Sequence, residues 1–405
     1  MKKPKIRFNG FNDDWEQRKL GDITESYSGG TPTAGKKEYY DGNIPFIRSG
    51  EISSDKTELF ISEEGLNRSS AKMVKIGDIL YALYGATSGE VSISKLKGAI
   101  NQAILAIQPH QNYDSQFLMQ WLRKSKENII GTYLQGGQGN LSGNIVKELI
   151  IDIPTYEEQK EIGAYLKKLD HLITLHQRKC DEIKKLKKYM LQNMFPQDEE
   201  KVPKIRFYGF TDDWEQRKLG DLVERITKKN QDLLSELPLT ISAQYGLIDQ
   251  KEFFDKRVAS KDISGYYLIK NGEFAYNKST STDAPWGAIK RLDRYETGVL
   301  STLYIVFGIK KDTELNSNFL TAYYSTNLWH KEIHEIAAEG ARNHGLLNIS
   351  PADFFKTKLS TPQDLKEQNK IGNYFIQLDQ LITLHQRKCD ELKNMKKFML
   401  QNMFV

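Results

Sequence analysis

Two stretches of the chain carry apolar residues at heptad spacing. The first runs from Glu158 to Pro196 with no proline between them, and the second begins near Glu367. This spacing predicts two amphipathic helices of roughly 40 residues, each about 60 Å long at 1.5 Å per residue. The predicted seam between the helices consists of Leu166, Leu169, Ile173, His176, Cys180 and Ile183 with Phe375, Leu378, Ile382, His385, Cys389 and Leu392.

Polar residues and caps recur at the same places in both stretches. His176 and His385 interrupt the apolar seam, which costs stability but fixes the register of a helix pair. Residues 155–158 match a capping box that starts the first helix, and Asp364 supplies the cap of the second. The apolar stripe is widened by Leu172, Leu175 and Leu186. Each helix is therefore expected to pack also on a globular block or on a partner protein.

The two predicted helices are near-copies, and so are the arms that precede each globular block. Residues 169–195 and 378–404 differ at five of 27 positions. Residues 4–22 and 203–221 both contain PKIRF and WEQRKLGD. The blocks between these segments have little sequence in common. The chain is therefore a tandem duplication, and the two blocks are predicted to share one fold with different surfaces.

Short strand-like runs make up most of each block. Ile44–Ile52, Ile79–Ile93 and Ala99–Ile107 are typical of strands, whereas Phe117–Ile130 has helical spacing. Ile145–Ile153 is predicted to end the first block as a strand. The predicted fold class is α+β, with two mixed α/β globular domains separated by two long helices.

Two copies of one amphipathic helix most simply cover their stripes on each other. Because the second block must fold back, an antiparallel coiled coil with a pseudo-twofold axis near Cys180 and Cys389 is expected. The predicted boundaries are 1–154 for the first arm and block, 155–200 for the first helix and hinge, 201–363 for the second arm and block, and 364–405 for the second helix.

Composition narrows the class of protein only a little. The 405 residues carry a net charge of +5, which permits nucleic acid as a partner without arguing for it. No apolar run approaches a membrane span, and the N-terminus lacks an apolar signal core, so a cytoplasmic protein is expected. The two cysteines, Cys180 and Cys389, are predicted to be reduced thiols.

The duplicated frame with divergent interiors is itself a functional pattern. A rigid spacer that carries two different reading heads suits a two-part sequence on duplex DNA. The alternative is a structural coiled-coil protein whose two globular blocks diverged in sequence without any functional consequence.

Several motifs together resemble the specificity subunits of type I restriction–modification systems, the HsdS family. The resemblance covers essentially the whole chain. It rests on the WEQRKLGD openings at Trp15 and Trp214, the Gly29-Gly30-Thr31-Pro32 turn followed by Ile44-Pro45-Phe46-Ile47, the helix starts at Glu158-Gln159 and Glu367-Gln368, and the twin helices.

The resemblance implies a noncatalytic subunit that reads a bipartite, asymmetric DNA target in phage defence. Each block would be a target recognition domain, and the helices would act as ruler and as docking surface for two methyltransferase subunits. The complex would methylate adenine N6 with S-adenosylmethionine. Motor–nuclease subunits using ATP and Mg would add restriction, so these cofactors are expected on partners, in a bacterial cytoplasm at the nucleoid. The other hypotheses are a free-standing bipartite DNA-binding or architectural protein, and an enzyme with its own nuclease or methyltransferase centre.

No catalytic constellation is present in the sequence. It has neither a phosphate-binding Gly-x4-Gly-Lys-Ser/Thr loop nor an adenine-methylation motif. His330 and His334 lie four residues apart, but no third ligand is evident, so no metal site is predicted. The glycine-rich run 136–143 lacks dinucleotide spacing and fits a flexible or DNA-facing loop better than a nucleotide cradle.

Residues that read DNA should be polar or aromatic, lie in loops, and differ between the blocks. The best cluster is Gly340–Gly345, where Arg, Asn and His are flanked by glycines. The candidates in the first block are Thr31, Arg48, Ser49, Tyr81, Tyr84, Thr87, Gln135, Gln138 and Asn140. Those in the second are Lys228, Lys229, Asn230, Gln244, Tyr245, Asn277, Lys278, Thr280, Trp286, Arg342, Asn343 and His344. An ordinary exposed side chain, or a core position for the tyrosines, is the alternative for each.

Overall fold

The computed structural model describes residues 3–133, 140–197, 200–242, 245–256, 258–282, 284–337 and 346–405, with the backbone alone at 342–343. It contains two compact units. The first unit is Met1–Arg178 with Gln386–Val405, and the second unit is Lys179–His385. This division differs from the predicted boundaries, because each unit takes part of both long helices.

The first unit combines two four-stranded sheets with helices. One sheet has the order β2-β9-β6-β7 and is antiparallel, and the other has the order β4-β3-β8-β5 with a parallel β3–β8 pair. Its elements are β1 Glu16–Lys19, α1 Leu20–Ile23, β2 Thr24–Ser28, β3 Ile44–Ile47, β4 Phe60–Ile61, α2 Glu63–Asn67, β5 Lys72–Val74, β6 Ile79–Ala82, β7 Val91–Ile93, β8 Gly98–Ile100, β9 Ile104–Pro109, α3 Ser115–Tyr133, α4 Gly143–Lys147, β10 Ile150–Ile153 and the start of α5 Tyr156–Asn193.

The second unit has one four-stranded sheet of the order β12-β19-β16-β17 and several two-stranded ladders. Its elements are the end of α5, β11 Glu215–Lys218, α6 Leu219–Leu222, β12 Val223–Arg225, β13 Leu239–Ser242, β14 Gly246–Asp249, α7 Gln250–Phe254, β15 Tyr267–Lys270, β16 Phe274–Asn277, β17 Ala288–Arg291, β18 Thr297–Leu300, β19 Ile305–Ile309, α8 Ser317–Tyr323, α9 Leu328–Ile336, β20 Arg342–Asn343, β21 Leu346–Leu347, α10 Pro351–Phe354, β22 Lys358–Thr361 and the start of α11 Leu365–Asn402.

One turn shows that the two antiparallel sheets are equivalent. Before β6, the carboxylate of Asp78 accepts a hydrogen bond from the N–H of Lys75, and before β16 the carboxylate of Glu273 accepts one from the N–H of Lys270. The glycine of each turn has a positive φ, +99° at Gly77 and +85° at Gly272. The related K-x-G-D/E sequences therefore mark the same turn in both units.

The arm of each repeat is attached to the end of a long helix within its own unit. The N–H of Ile6 donates to the carbonyl of Asn402, and the N–H of Ile205 donates to the carbonyl of Asn193. Trp15 then packs edge-on against Phe404 in the first unit, as Trp214 does against Phe195 in the second. The repeated arm and the repeated helix end thus form one structural joint.

The start of each long helix is held by a Glu-Gln pair, although not in the predicted way. Glu158 was expected to complete a capping box, but both of its carboxylate oxygens accept hydrogen bonds from the Arg7 guanidinium at 2.7 Å. Gln159 accepts from the N–H of Asp114 and donates to the carbonyl of Pro154. The capping-box interpretation is therefore wrong for Glu158, whose carboxylate binds the arm.

The second unit repeats this arrangement. Arg206 donates to both carboxylate oxygens of Glu367, and Gln368 accepts a hydrogen bond from the N–H of Asn316. Asp364 does act as a cap, because its carboxylate accepts from the N–H of Lys366. A second correction concerns 145–153, where a strand was predicted: α4 occupies its start and β10 only its end.

A glycine on each long helix permits close packing against the neighbouring helix start. A Cβ at Gly163 would lie 2.5 Å from Oδ1 of Asp114, and a Cβ at Gly372 would lie 2.6 Å from Cβ of Asn318. At Gly372 the backbone N of Phe319 would also lie at 2.6 Å, so a side chain there requires the helices to shift, whereas at Gly163 the Asp114 side chain can move and the next atoms, Cβ of Gln116 and N of Phe117, lie at 3.0 and 3.1 Å. The long helix and the first turn of α3 or α8 are therefore in backbone-level contact.

Candidate nucleic-acid interface

In the first unit, the loop after strand β6 meets the second half of the glycine-rich run 136–143. Tyr84 and Asn140 form an antiparallel bridge, and the N–H of Leu141 donates to the carbonyl of Leu83 at 2.9 Å. Asn140 is exposed, and Thr87 lies in a turn just after Tyr84. This junction brings three of the predicted DNA-contacting residues together.

The second unit has the same junction after strand β16. Ser279 forms a bridge with Leu346, and the N–H of Leu347 donates to the carbonyl of Lys278 at 3.0 Å. Strand β20, the backbone of Arg342 and Asn343, pairs with β21 in a hairpin. The structure thus places the loop that contains Asn277, Lys278 and Thr280 next to this hairpin.

Two side chains at the second junction already have partners within the protein. The side-chain oxygen of Asn277 accepts a hydrogen bond from the N–H of Ser279 at 3.0 Å, which shapes the loop. Lys278 donates to the carbonyl of Ile349 at 3.3 Å, and burial lowers the pKa of its ammonium group. A DNA contact by either side chain would require it to exchange or share these partners.

The candidate cation Arg48 lies in an ion pair. Its guanidinium donates to Glu51 at 2.7 Å, and this hydrogen bond lowers the pKa of the Glu51 carboxyl to about 2. The neighbouring Ser49 lies in the same short 3-10 turn. The positive charge available to a phosphate here is therefore reduced by Glu51.

The remaining candidates in the second unit differ in exposure. Lys228 and Tyr245 are exposed. Lys229 donates to the carbonyl of Gly265 and lies 3.9 Å from the centre of the Tyr267 ring, a cation–π contact. Trp286 is half-buried and packs edge-on against the ring of His334. Lys228 and Tyr245 are the two that most freely face solvent.

In the first unit, the start of α5 packs against the end of α11 in antiparallel order. Leu166, Leu169 and Cys389 are buried, whereas Ile173, His176 and Leu392 are partly buried. Asp170 accepts hydrogen bonds from Lys396 at 2.6 Å, Gln120 at 2.7 Å and Arg123 at 2.9 Å. Burial raises the pKa of Asp170, but its pairing with Lys396, Arg123 and Gln120 together outweighs this and holds the pKa below the usual range.

In the second unit, the end of α5 packs against the start of α11, again in antiparallel order. Cys180, Phe375 and Leu378 are buried, whereas Ile183, Ile382 and His385 are partly buried. The Sγ of Cys180 lies 3.9 Å from the carbonyl oxygen of Ile382. Lys187 donates to both carboxylate oxygens of Asp379, the repeat counterpart of Asp170.

The two histidines of α9 pack on aromatic rings. His330 lies 4.4 Å from the Trp329 ring centre, and burial lowers the pKa of its imidazole. Among the described residues there is no group of three or more His, Cys, Asp or Glu side chains that could hold a metal ion.

Comparison with known proteins shows which family the first part of the chain resembles. Residues 12–185 match the family model described as the Type I restriction modification DNA specificity domain. Over these residues, which make up less than half of the chain, it is similar to that family. Similar relatives are the type I restriction enzyme MjaIX specificity subunit of Methanocaldococcus jannaschii, 28% identical over 228 residues (52% of either chain), and the EcoR124I/EcoR124II specificity subunit of Escherichia coli, 28% identical over 167 residues (39% of this chain, 41% of the relative).

The fold is shared with a solved specificity subunit. The crystal structure of a type I restriction–modification S subunit from M. genitalium matches with a TM-score of 0.66 at 15% identity, over 100% of this chain and 99% of that one. In sequence, the chain spans about half the length of the curated relatives it matches. No helix within the described residues is long and apolar enough to cross a bilayer.

Two of the predicted DNA contacts are wrong. Tyr81 is fully buried on β6, and burial raises the pKa of its hydroxyl to about 12. Asn230 is also fully buried, and its side-chain amide both accepts from the N–H of Ser235 and donates to the carbonyl of Ser235. Tyr81 is therefore a core residue, and Asn230 holds a turn.

Some of the predicted DNA contacts fall outside the described residues. They are Gln135, Gln138, Gln244, His344 and the side chains of Arg342 and Asn343.

One polar residue at the loops was missed by the sequence reasoning. Gln102 is exposed in the connection from β8 to β9, and its Oε1 accepts a hydrogen bond from Thr31 at 2.6 Å. An amide side chain is suited to adenine edges. The only sequence signal was a polar Asn-Gln pair inside a strand-like run, which had been interpreted as part of the strand.

Proposed function

We propose that this chain is the noncatalytic DNA-recognition subunit of a type I restriction–modification complex. Each unit acts as a target recognition domain and reads one half of a bipartite, asymmetric duplex target. The observation that carries the proposal is the contrast between the two junctions, which share their backbone pairing but present different side chains.

Two domains that recognise different half-sites need the same backbone frame and different side chains, and the two junctions have both. The bridge Tyr84–Asn140 of the first unit corresponds to Ser279–Leu346 in the second, and the sheets that hold the two bridges have the same strand order. Sequence is read by side chains at base edges, whereas the backbone frame only positions them. One frame with two surfaces therefore suits two unlike half-sites.

The long helices supply the distance between the heads. We infer that α5 and α11 form one continuous antiparallel coiled coil, with a pseudo-twofold relation between the repeats. The antiparallel contacts inside each unit and the ion pairs of Asp170 and Asp379 at repeat-equivalent positions support this inference.

Exposed apolar residues support a partner that binds twice. Met395 and Phe398 are exposed on α11, and their repeat counterparts Leu186 and Tyr189 are exposed on α5. Scattered exposed apolar residues are ordinary, but the same pair repeated in both units fits two copies of one partner. We propose that these surfaces dock two methyltransferase subunits, which bind S-adenosylmethionine and methylate adenine N6. Motor–nuclease subunits with ATP and Mg then add restriction.

The test is a genome-wide map of N6-methyladenine in cells that express the chain with its cognate methyltransferase subunit. Cells that lack only this chain are the control. A new, fully methylated, two-part asymmetric motif is expected. Absence of new methylation, with the partner shown to be soluble and bound, would contradict the proposal.

The alternative, a free-standing bipartite DNA-binding protein, is separated by a second measurement. Full-affinity, site-specific binding of duplex DNA by the isolated chain would favour it. Weak or nonspecific binding that sharpens when the methyltransferase is added is the result expected here.

A further inference from the structure

A basic cavity of about 710 Å³ lies within the second unit. Its walls come from the end of α5, the start of β17, the segment that joins α8 to α9, and one turn of α11. The residues that define its chemistry are Lys184, Lys187, Lys188, Lys290, Trp329 and Asp379.

Positive charge dominates the cavity. It is lined by four lysines, and the acidic residue that lines it, Asp379, has both carboxylate oxygens bound to Lys187 at 2.6 and 2.8 Å. Lys290 is partly buried, and its ammonium group has no hydrogen-bond or ion-pair partner within the described part of the chain. Burial lowers the pKa of Lys290 and the charge of Lys187 lowers it further, while the charge of Asp379, which is already bound to Lys187, raises it less. An anion in the cavity would supply the missing partner.

The corresponding place in the first unit is filled. There Asp170, the counterpart of Asp379, is bound by Gln120 and Arg123 of α3 in addition to Lys396. The side-chain caps of α3 and α8 align the two helices, because Asp114 accepts from the N–H of Phe117 as Asn316 accepts from that of Phe319.

This alignment identifies what opened the cavity. The positions of Gln120 and Arg123 are occupied by Ala322 and Ser325 in the second unit. Strand register adds a third difference: Leu80 faces Ser92 in β6–β7, whereas Ala275 faces Lys290 in β16–β17. Two long polar side chains are thus lost, and one lysine is added.

The asymmetry restricts the identity of the ligand. A partner present in two identical copies needs the same surface in both units, and the side chains around Asp170 differ from those around Asp379, so this cavity does not suit such a partner. A ligand that meets one unit alone fits better. Lysine ammonium groups bind phosphate as compact point charges.

We propose that the cavity between Lys184, Lys188 and Lys290 is a phosphate-binding site specific to the second unit. The phosphate is either a backbone phosphate of the DNA half-site, in which case the inference rests on the proposed function, or a free phosphate that binds independently of DNA.

Three full-length variants test this inference. Lys290→Gln removes the unpaired charge, and Ser325→Arg closes the cavity by providing the arginine that the first unit has at Arg123. Lys185→Gln is the matched control, because Lys185 is exposed on the same helix but does not line the cavity. Thermal unfolding of each variant checks that the fold is retained.

The first arm measures binding of inorganic phosphate to the isolated full chain by calorimetry. The second measures binding of cognate and unrelated duplexes by the chain with its methyltransferase at several salt concentrations. For a backbone phosphate, both cavity variants lower affinity uniformly across sequences and reduce the salt slope by about 1, while the control does not. For a free phosphate, the unaltered chain and the control bind inorganic phosphate saturably in the calorimeter, and both cavity variants do not.

If both cavity variants bind phosphate and duplex DNA as the control does, the cavity is not a phosphate-binding site. Failure of the proposed function is distinguishable from this result. It would appear as the absence of a methylated motif with the unaltered chain, whereas the calorimetric arm needs neither DNA nor a partner.

Discussion

Arg7 and Glu158 form a bidentate ion pair with both N–O distances at 2.7 Å, and the Glu158 side chain has no exposed surface. Arg206 and Glu367 repeat the pair in the second unit. The pair binds an arm of the repeat to the first turn of a long helix, 151 residues away in sequence.

Arg7→Ala should therefore destabilise the first unit strongly. It leaves the buried Glu158 carboxylate unpaired, which costs about 3–5 kcal/mol of the free energy of unfolding. Urea unfolding of the full chain measures this loss. Lys5→Ala, at an exposed position of the same arm, should change stability by less than about 0.5 kcal/mol. An equal effect of the two substitutions would show that the ion pair contributes nothing.

Acid should reveal the pair between Arg48 and Glu51. Because the pKa of Glu51 falls from 4.5 to about 2 in the folded chain, its ionised form adds stability that is complete above pH 4.5. That stability is lost as the pH falls towards about 2. The stability difference between the unaltered chain and Glu51→Gln should therefore be constant near neutral pH and shrink across this range. A difference that does not depend on pH would contradict the assignment.

The exposed apolar residues of the helices should control subunit stoichiometry. Phe398→Glu or Tyr189→Glu alone should leave one methyltransferase per chain, and the double variant should leave none, because a carboxylate disfavours an apolar interface. Analytical ultracentrifugation of the purified complex measures the ratio. Gln401→Glu adds the same charge at an exposed position on α11 and should leave two methyltransferases bound.

Exchange of one globular block should alter one half of the target. Replacement of residues 215–355 by the matching block of another family member should change one half-site in the methylation map and leave the other intact. Tyr81→Phe should leave both halves unchanged, since that side chain is fully buried. A change in both half-sites after the block exchange would refute independent reading heads.

Residues 1–200 alone should dimerise. The core of the first unit includes Met403 and Phe404 from the end of α11, and the repeat places Met194 and Phe195 at the same positions on α5. A second copy can therefore supply the missing helix end, and the dimer should read a symmetric version of the first half-site. Sedimentation velocity measures the state, and a strictly monomeric half would contradict the antiparallel packing.

The long helices and the arms of this protein could be predicted from its sequence because both are duplicated in it. The heptads predicted α5 and α11 to within a few residues, and the K-x-G-D/E echo marked equivalent turns. The role of Glu158 was not readable, since a Glu three residues after Thr155 satisfies the capping-box pattern equally well. Only the fold shows that Arg7 reaches it.

Individual reading residues were harder to predict for a physical reason. Loop side chains such as Thr87 and strand side chains such as Tyr81 have similar chemistry, and burial separates them only when the strands are paired. Asn230 looked like a free amide in a polar run, yet it closes a turn on Ser235. Gln102 was overlooked because its neighbours, Ile100 and Ile104, continue the pattern of a strand.

The contact at Gly163, repeated at Gly372, has a mechanical consequence. With a helix start resting directly on the backbone of the long helix, a side chain at either glycine would push α3 or α8 away from the helix that supports it. Under the proposed function, each recognition domain is therefore expected to keep one position on its own part of the long helices. A change in the length of the DNA spacer between the two half-sites would then require helical turns to be added to or removed from α5 and α11.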